Sequence, residues 1–173
     1  MLAAMTFGRM LGSVLRGLVI GAVVLVSVGF LVGFFARFGD GPMGPLPGGA
    51  LRRGDPVDSV GVDWTFAENL QEIELQLLDP ERSRTVWVVR HGQDLYVPCG
   101  FLQVPGFKQW HKDAERDGRG LLRIQGKLYP VQLVRVKDPV IYDRVSQRLA
   151  RKYDRPPYDP DEAWIFRVDP RMR

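Results

Sequence analysis

Between Leu18 and Ala36 the chain reads LVIGAVVLVSVGFLVGFFA, with no charged side chain and a single polar one, Ser27. As a helix rising about 1.5 Å per residue, this stretch reaches roughly 28 Å, close to the hydrocarbon thickness of a bilayer. A helix apolar on every face needs a large domain to surround it, and the rest of this chain is too short for that. A cleaved secretory leader would carry an apolar core of about 7–15 residues, and FFARFGDGP has no small-x-small cleavage site. The expectation is a short N-terminal segment, 1–17, and a retained transmembrane helix, 18–38, as a single-pass anchor. Arg9 and Arg16 precede the span and Arg37 follows it; this favours the amino terminus inside and the domain on the non-cytoplasmic side.

The charge of the remainder excludes one class of partner. The net charge is +4, but Arg9, Arg16 and Arg37 all precede position 39, which leaves 21 basic against 20 acidic residues beyond it. A domain so balanced has no electrostatic footprint for nucleic acid. The single cysteine, Cys99, excludes an intrachain disulfide and a thiolate zinc site, and the two histidines are too far apart in sequence for a zinc-hydrolase motif. No metal site is expected. No nucleophile triad, Walker loop or Gly-x-Gly-x-x-Gly fingerprint is present.

GDGPMGPLPGGALRRGDP, residues 39–56, has little to bury and reads as part of a Gly/Pro-rich linker, 39–62, that stands the domain off the bilayer. The domain itself, 63–173, is built of short alternating runs. EIELQLL (72–78) has the period of a half-buried strand. After a turn at DPERSR, TVWVVR (85–90) is apolar on both faces and reads as a central strand. HGQD supplies a hairpin loop, and LYVPCG returns antiparallel. Phe107 to Asp117 has helical spacing and ends at Gly118. LLRIQ and LYPVQLVRV form a further hairpin, with Pro130 marking an edge or bulge. Asp138-Pro139 starts a second helix, VIYDRVSQRLARKYD, and AWIFRVDP (163–170) closes the domain as a strand. The order is β-β-β-α-β-β-α-β: mainly β with inserted helices, and a small closed or partly closed barrel.

The order and texture of TVWVVRHGQDLYVPCG, FKQWHKDAERDG, LLRIQGKLYPVQLVRV, VIYDRVSQRLARKYD and WIFRVDP resemble the FMN-binding split-barrel superfamily, the pyridoxamine-phosphate-oxidase-like proteins, over about residues 64–170. The resemblance implies a six-stranded split β-barrel preceded here by the transmembrane helix. It also implies a homodimer, and FMN, deazaflavin or another cofactor in a groove at the barrel surface. In such proteins phosphate-contacting groups sit at a strand entrance, which in this chain points to Arg82 and Arg84.

Several other side chains suit an anionic aromatic ligand. Lys108 and Lys112 stand at i and i+4, Trp110 offers a flat surface, and His111 titrates near neutrality. The alternative is that Trp110 pins the helix to the barrel while the charges face water. Arg123 and Lys127 could reach a ligand across the groove, or could be outward strand charges. Two functions stay open. One is a membrane-tethered split barrel binding flavin or deazaflavin as an oxidoreductase. The other is a non-catalytic membrane-tethered domain binding a ligand or protein.

Overall fold

The structure is a computed structural model that describes residues 2–103 and 109–172, with side chains in the first helix from Arg16 onward. Helix α1 (Leu2–Ala36) carries the apolar run; its segment Arg16–Ala36, 21 residues, is long and apolar enough to cross a membrane.

The rest is an antiparallel sheet wrapped around one apolar core, with helices against it. The strands are β1 (Asp55–Pro56), β2 (Glu72–Leu78), β3 (Glu81–Trp87), β4 (Val89–His91), β5 (Asp94–Gly100), β6 (Arg119–Ile124), β7 (Lys127–Arg135) and β8 (Ala163–Pro170). Helix α2 (Trp110–Arg116) lies between β5 and β6, and α3 (Pro139–Lys152) between β7 and β8. The hydrogen-bonded order is β3-β2-β6-β7-β8-β5-β4, with β1 added in parallel to β7.

The expected six-stranded barrel is therefore corrected to an eight-stranded sheet that hydrogen bonds do not close. One added strand comes from the apolar run 85–90, which changes partner at Val88: β3 pairs with β2, and β4 with β5. The other is β1, two residues of the Gly/Pro-rich stretch. Neither has a periodicity that a sequence could reveal. The two ends of the sheet, β3 and β4, are consecutive in the chain, so covalent continuity joins what the ladder leaves open. The switch leaves Val88 without strand partners, and α3 supplies them. The Val88 N–H donates to the Tyr153 hydroxyl at 2.9 Å, and the Val88 carbonyl accepts from Lys152 Nζ at 2.9 Å. Trp87 stacks on Tyr153 with ring centroids 4.2 Å apart.

The inner face gathers Ile73, Leu75, Leu77, Leu95, Val97, Leu122, Val131 and Phe166, all buried. Burying each such side chain is worth about 1.5–3 kcal/mol. Trp64, edge-on to Tyr129 at 5.2 Å, closes one end of this core, and Trp110, against Phe166 at 5.5 Å, closes the other. A second cluster, Tyr142, Val145 and Leu149, seats α3 on Val89, Tyr96 and Ile165 of the outer face. As the sequence predicts, Asp138 caps α3: its carboxylate accepts from the N–H groups of Val140 and Ile141 at 2.8 and 3.2 Å.

Three local expectations change. Gly118 does not cap α2; a side chain there would come within 2.2 Å of the Leu133 carbonyl, so glycine is needed for the approach of β7. Pro130 is neither edge nor bulge but lies within β7, opposite Leu121. It is tolerated because the ladder to β1 stops at Leu128 and the ladder to β8 starts at Val131, and its carbonyl accepts from Ser59 and from Arg171 N–H. The Gly/Pro-rich stretch, expected as a spacer, is strapped across the outer face of β2, β3 and β6. Gly48 exchanges backbone hydrogen bonds with Ser83, Leu51 N–H donates to the buried Gln76 side chain at 2.6 Å, and Asp40 bridges Arg123 at 2.9 Å.

Candidate functional site

Helix α2 lies over one end of the core, reaching from the β2–β3 turn, where Arg116 meets the Asp79 carbonyl at 3.1 Å, to β7, where Glu115 meets Arg135 at 3.0 Å. The expected site residues distribute around this end unevenly. Trp110 is 5% exposed and packed into the core, with the Arg84 guanidinium 5.3 Å from its ring centroid. His111 is 3% exposed, edge-on to Trp164 at 4.8 Å, with Nδ1 3.9 Å from the Cys99 sulfur. Burial, with help from Lys112 and Arg135, holds its pKa below the usual value, so the ring is neutral at pH 7. Arg82 and Arg84 stand on β3 opposite Leu77 and Leu75, on the core side of the sheet. Burial lowers the pKa of Arg84 to about 10, and its Nε is buried with no hydrogen-bond partner among the described residues.

The other expected residues are elsewhere. Arg123 is on the opposite, outer face of the sheet, where its guanidinium is taken up by Glu74, Asp40 and the Arg53 carbonyl. Lys127 is exposed at the β6–β7 turn, at the far end of the sheet from α2. Lys108 lies outside the described residues.

What the fold does assemble is a groove of about 530 Å³ between α2 with the start of β6 and the C-terminal half of β7. Arg116, Arg119, Arg135 and Lys137 line it, against Glu115 and Asp117. Asp117 is chelated by Arg119 at 2.7 and 2.9 Å, chiefly a side-chain hydrogen-bond effect that takes its pKa to about 2. Glu115 is shared between Arg135 and Lys137, at 3.0 and 3.8 Å. Arg135 sits over Trp164, its guanidinium carbon 3.4 Å from the ring centroid, and also lines a second groove of about 340 Å³ with Lys137, Arg167 and Tyr96. Arg119, Arg135 and Lys137 escape a sequence reading because alternation marks them only as outward charges. The one available signal is the clustering of Arg135 and Lys137 just before the Asp138-Pro139 helix start.

Fold and groove together define a mainly antiparallel β domain, with helices against its sheet and a cationic cleft at one end. Residues 67–164 match the model of DUF2255, described as uncharacterized proteins conserved in bacteria, and the chain belongs to that family. Nothing among curated proteins matches it. Among solved structures it is similar to a Listeria innocua protein assigned as a pyridoxamine 5'-phosphate oxidase, with 15% identity over 61% of this chain and 87% of that one at a TM-score of 0.46. It is also similar to an F420 reductase, with 14% identity over 63% and 93% of the two chains at a TM-score of 0.41.

Proposed function

We propose that the chain is a single-pass membrane protein whose split-barrel-like domain binds an anionic, planar ligand of the flavin or deazaflavin class in the groove between α2 and β7. The observation that carries this reading is the groove itself: about 530 Å³, within the usual range for small-molecule sites, with four cationic side chains against two carboxylates. Its residues fit the two halves of such a ligand. Arg119 and Lys137 suit a phosphate or carboxylate, and the Arg135 guanidinium, backed by Trp164, is a plane on which a ring can stack. A bound flavin or deazaflavin would supply hydride or electron transfer. The protein's part is to hold the charged tail, orient the ring, and keep His111 and Cys99 away from it, since both are buried behind Trp164 and α2. Arg9 and Arg16 support a non-cytoplasmic domain, and the sequence resemblance supports a homodimer.

The test is titration of the full chain in detergent with FMN, riboflavin and a deazaflavin, read by ligand fluorescence and thermal shift. FMN is expected to bind about tenfold more tightly than riboflavin, which lacks the phosphate, and Arg135→Glu with Lys137→Glu is expected to abolish that difference. Absence of any spectral change or thermal shift with all three ligands removes the reading.

A further inference from the structure

The chain between α1 and the domain has almost no free length. Helix α1 ends at Ala36, and the first residue anchored on the domain is Asp40, which accepts from the N–H groups of Arg52 and Arg53 at 2.6 and 3.2 Å and bridges Arg123. Even the intervening residues are held. A side chain at Gly49 would come within 2.3 Å of the Arg37 carbonyl and 2.5 Å of the Gly39 carbonyl, and one at Gly48 within 1.7 Å of the Gly41 carbonyl. The backbone leaving the helix therefore runs in contact with the strap. Arg82 at the start of β3 is close enough to Arg37 for the two charges to repel. A domain joined this way cannot stand off the bilayer.

The surface beside this junction carries side chains suited to a lipid interface. Residues 42–47 fold back on themselves, with Met43 and Leu46 exchanging backbone hydrogen bonds at 3.1 Å, and the tip is tied to β3 by the Thr85 hydroxyl donating to the Gly44 carbonyl at 3.0 Å. Met43 and Leu46 are 54% and 40% exposed, and Phe38, just past the helix, is 65% exposed. Other apolar side chains are exposed too, among them Val60 and Val140, so it is the place of Phe38, Met43 and Leu46 in the segment that follows the span that matters here. Arg37 directly follows the helix, Arg52 and Arg53 are tied to Asp40 through their N–H groups, and all three side chains are exposed, with no salt bridge among the described residues. The tip begins at Pro42, six residues past the helix end and at most about 22 Å away at full extension, and Gly49, at the other end of the same loop, packs against the Arg37 and Gly39 carbonyls.

We propose that this face docks on the membrane that α1 crosses, with Phe38, Met43 and Leu46 entering the headgroup region and Arg37, Arg52 and Arg53 meeting anionic lipid. It rests on α1 being a membrane span. The three-residue connection to Asp40 holds the domain against the end of the span in every copy of the protein, which keeps this loop near the bilayer, and the mixture of apolar tip and basic flank is what an interface attracts.

The test uses the full chain in phosphatidylcholine vesicles with and without phosphatidylglycerol. A fluorescent probe is placed by Leu46→Cys, Val26→Cys or Gln147→Cys in separate samples, since native Cys99 is buried and shielded from labelling. Spin-labelled lipids then quench whatever touches the bilayer. Docking predicts strong quenching at positions 26 and 46 and several-fold less at 147, on the exposed side of α3. It further predicts that Arg52→Glu with Arg53→Glu lowers quenching at 46 only in vesicles holding phosphatidylglycerol. Quenching at 26 but not at 46 overturns the docking and leaves the span standing; no quenching at 26 overturns both.

Discussion

His111 shows how burial rewrites a residue's chemistry. Its spacing beside Lys108, Trp110 and Lys112 suggests a ligand-gripping histidine, but its ring is enclosed by Cys99 and Trp164. Because burial first, and then Lys112 and Arg135, depress its folded pKa below 6.5, the unfolded chain takes up the proton more readily. The stability it contributes is complete above pH 6.5 and is lost as pH falls through the depressed folded value. Thermal unfolding from about pH 7.5 down to pH 5 is expected to show a fall in Tm that His111→Gln reduces; identical slopes for the two proteins would remove this assignment. Arg123 makes the same point on the outer face. Its position on an alternating strand is plain from sequence, but that Glu74 and Asp40 consume it depends on residues 49 and 83 positions away.

Among the elements, those with their own local code are legible. The capped helix α3, β2 and β8 fall where periodicity and turn chemistry put them, and the β6–β7 hairpin is present with its turn at Gln125-Gly126, both at positive φ, one residue before the Gly126-Lys127 turn that the sequence suggests. The strap is not legible, because its contacts are backbone groups and glycine gaps rather than a pattern of side chains. Its dependence on close approach gives a specific expectation. Gly48→Ala would force a methyl group into the Gly41 carbonyl, at a cost of about 1–3 kcal/mol, and would release residues 37–54 for limited proteolysis before the sheet unfolds. Cleavage in that segment at the wild-type rate would contradict the strap.

At the scale of the whole molecule, the junction between β3 and β4, the two ends of the open sheet, depends on one helix end. Tyr153 and Lys152 satisfy the backbone of Val88 where the chain leaves β2 for β5, and the Tyr153 hydroxyl also reaches the Gln71 carbonyl at 2.5 Å. Tyr153→Phe keeps the stack on Trp87 but leaves the Val88 N–H unpaired, and is expected to lower the unfolding free energy by about 1–3 kcal/mol in a denaturant titration. A change within error would leave the β3–β4 junction to the chain connection alone.

The sequence by itself determined the features with short-range causes: an apolar run long enough to span a bilayer, a mainly β domain, its hairpins, a capped helix, and a charge balance unsuited to nucleic acid. Tertiary structure alone decided the features with long-range causes. It split one apolar run between two partners at Val88, set His111 against Cys99 and Trp164, and strapped the Gly/Pro-rich stretch to the sheet; that Trp110 pins its helix is one of the two readings its sequence spacing allows. It also gathered Arg116, Arg119, Arg135 and Lys137 around one groove. Side-chain periodicity states which face of an element is buried, but not which neighbour buries it, and a binding groove is made of neighbours.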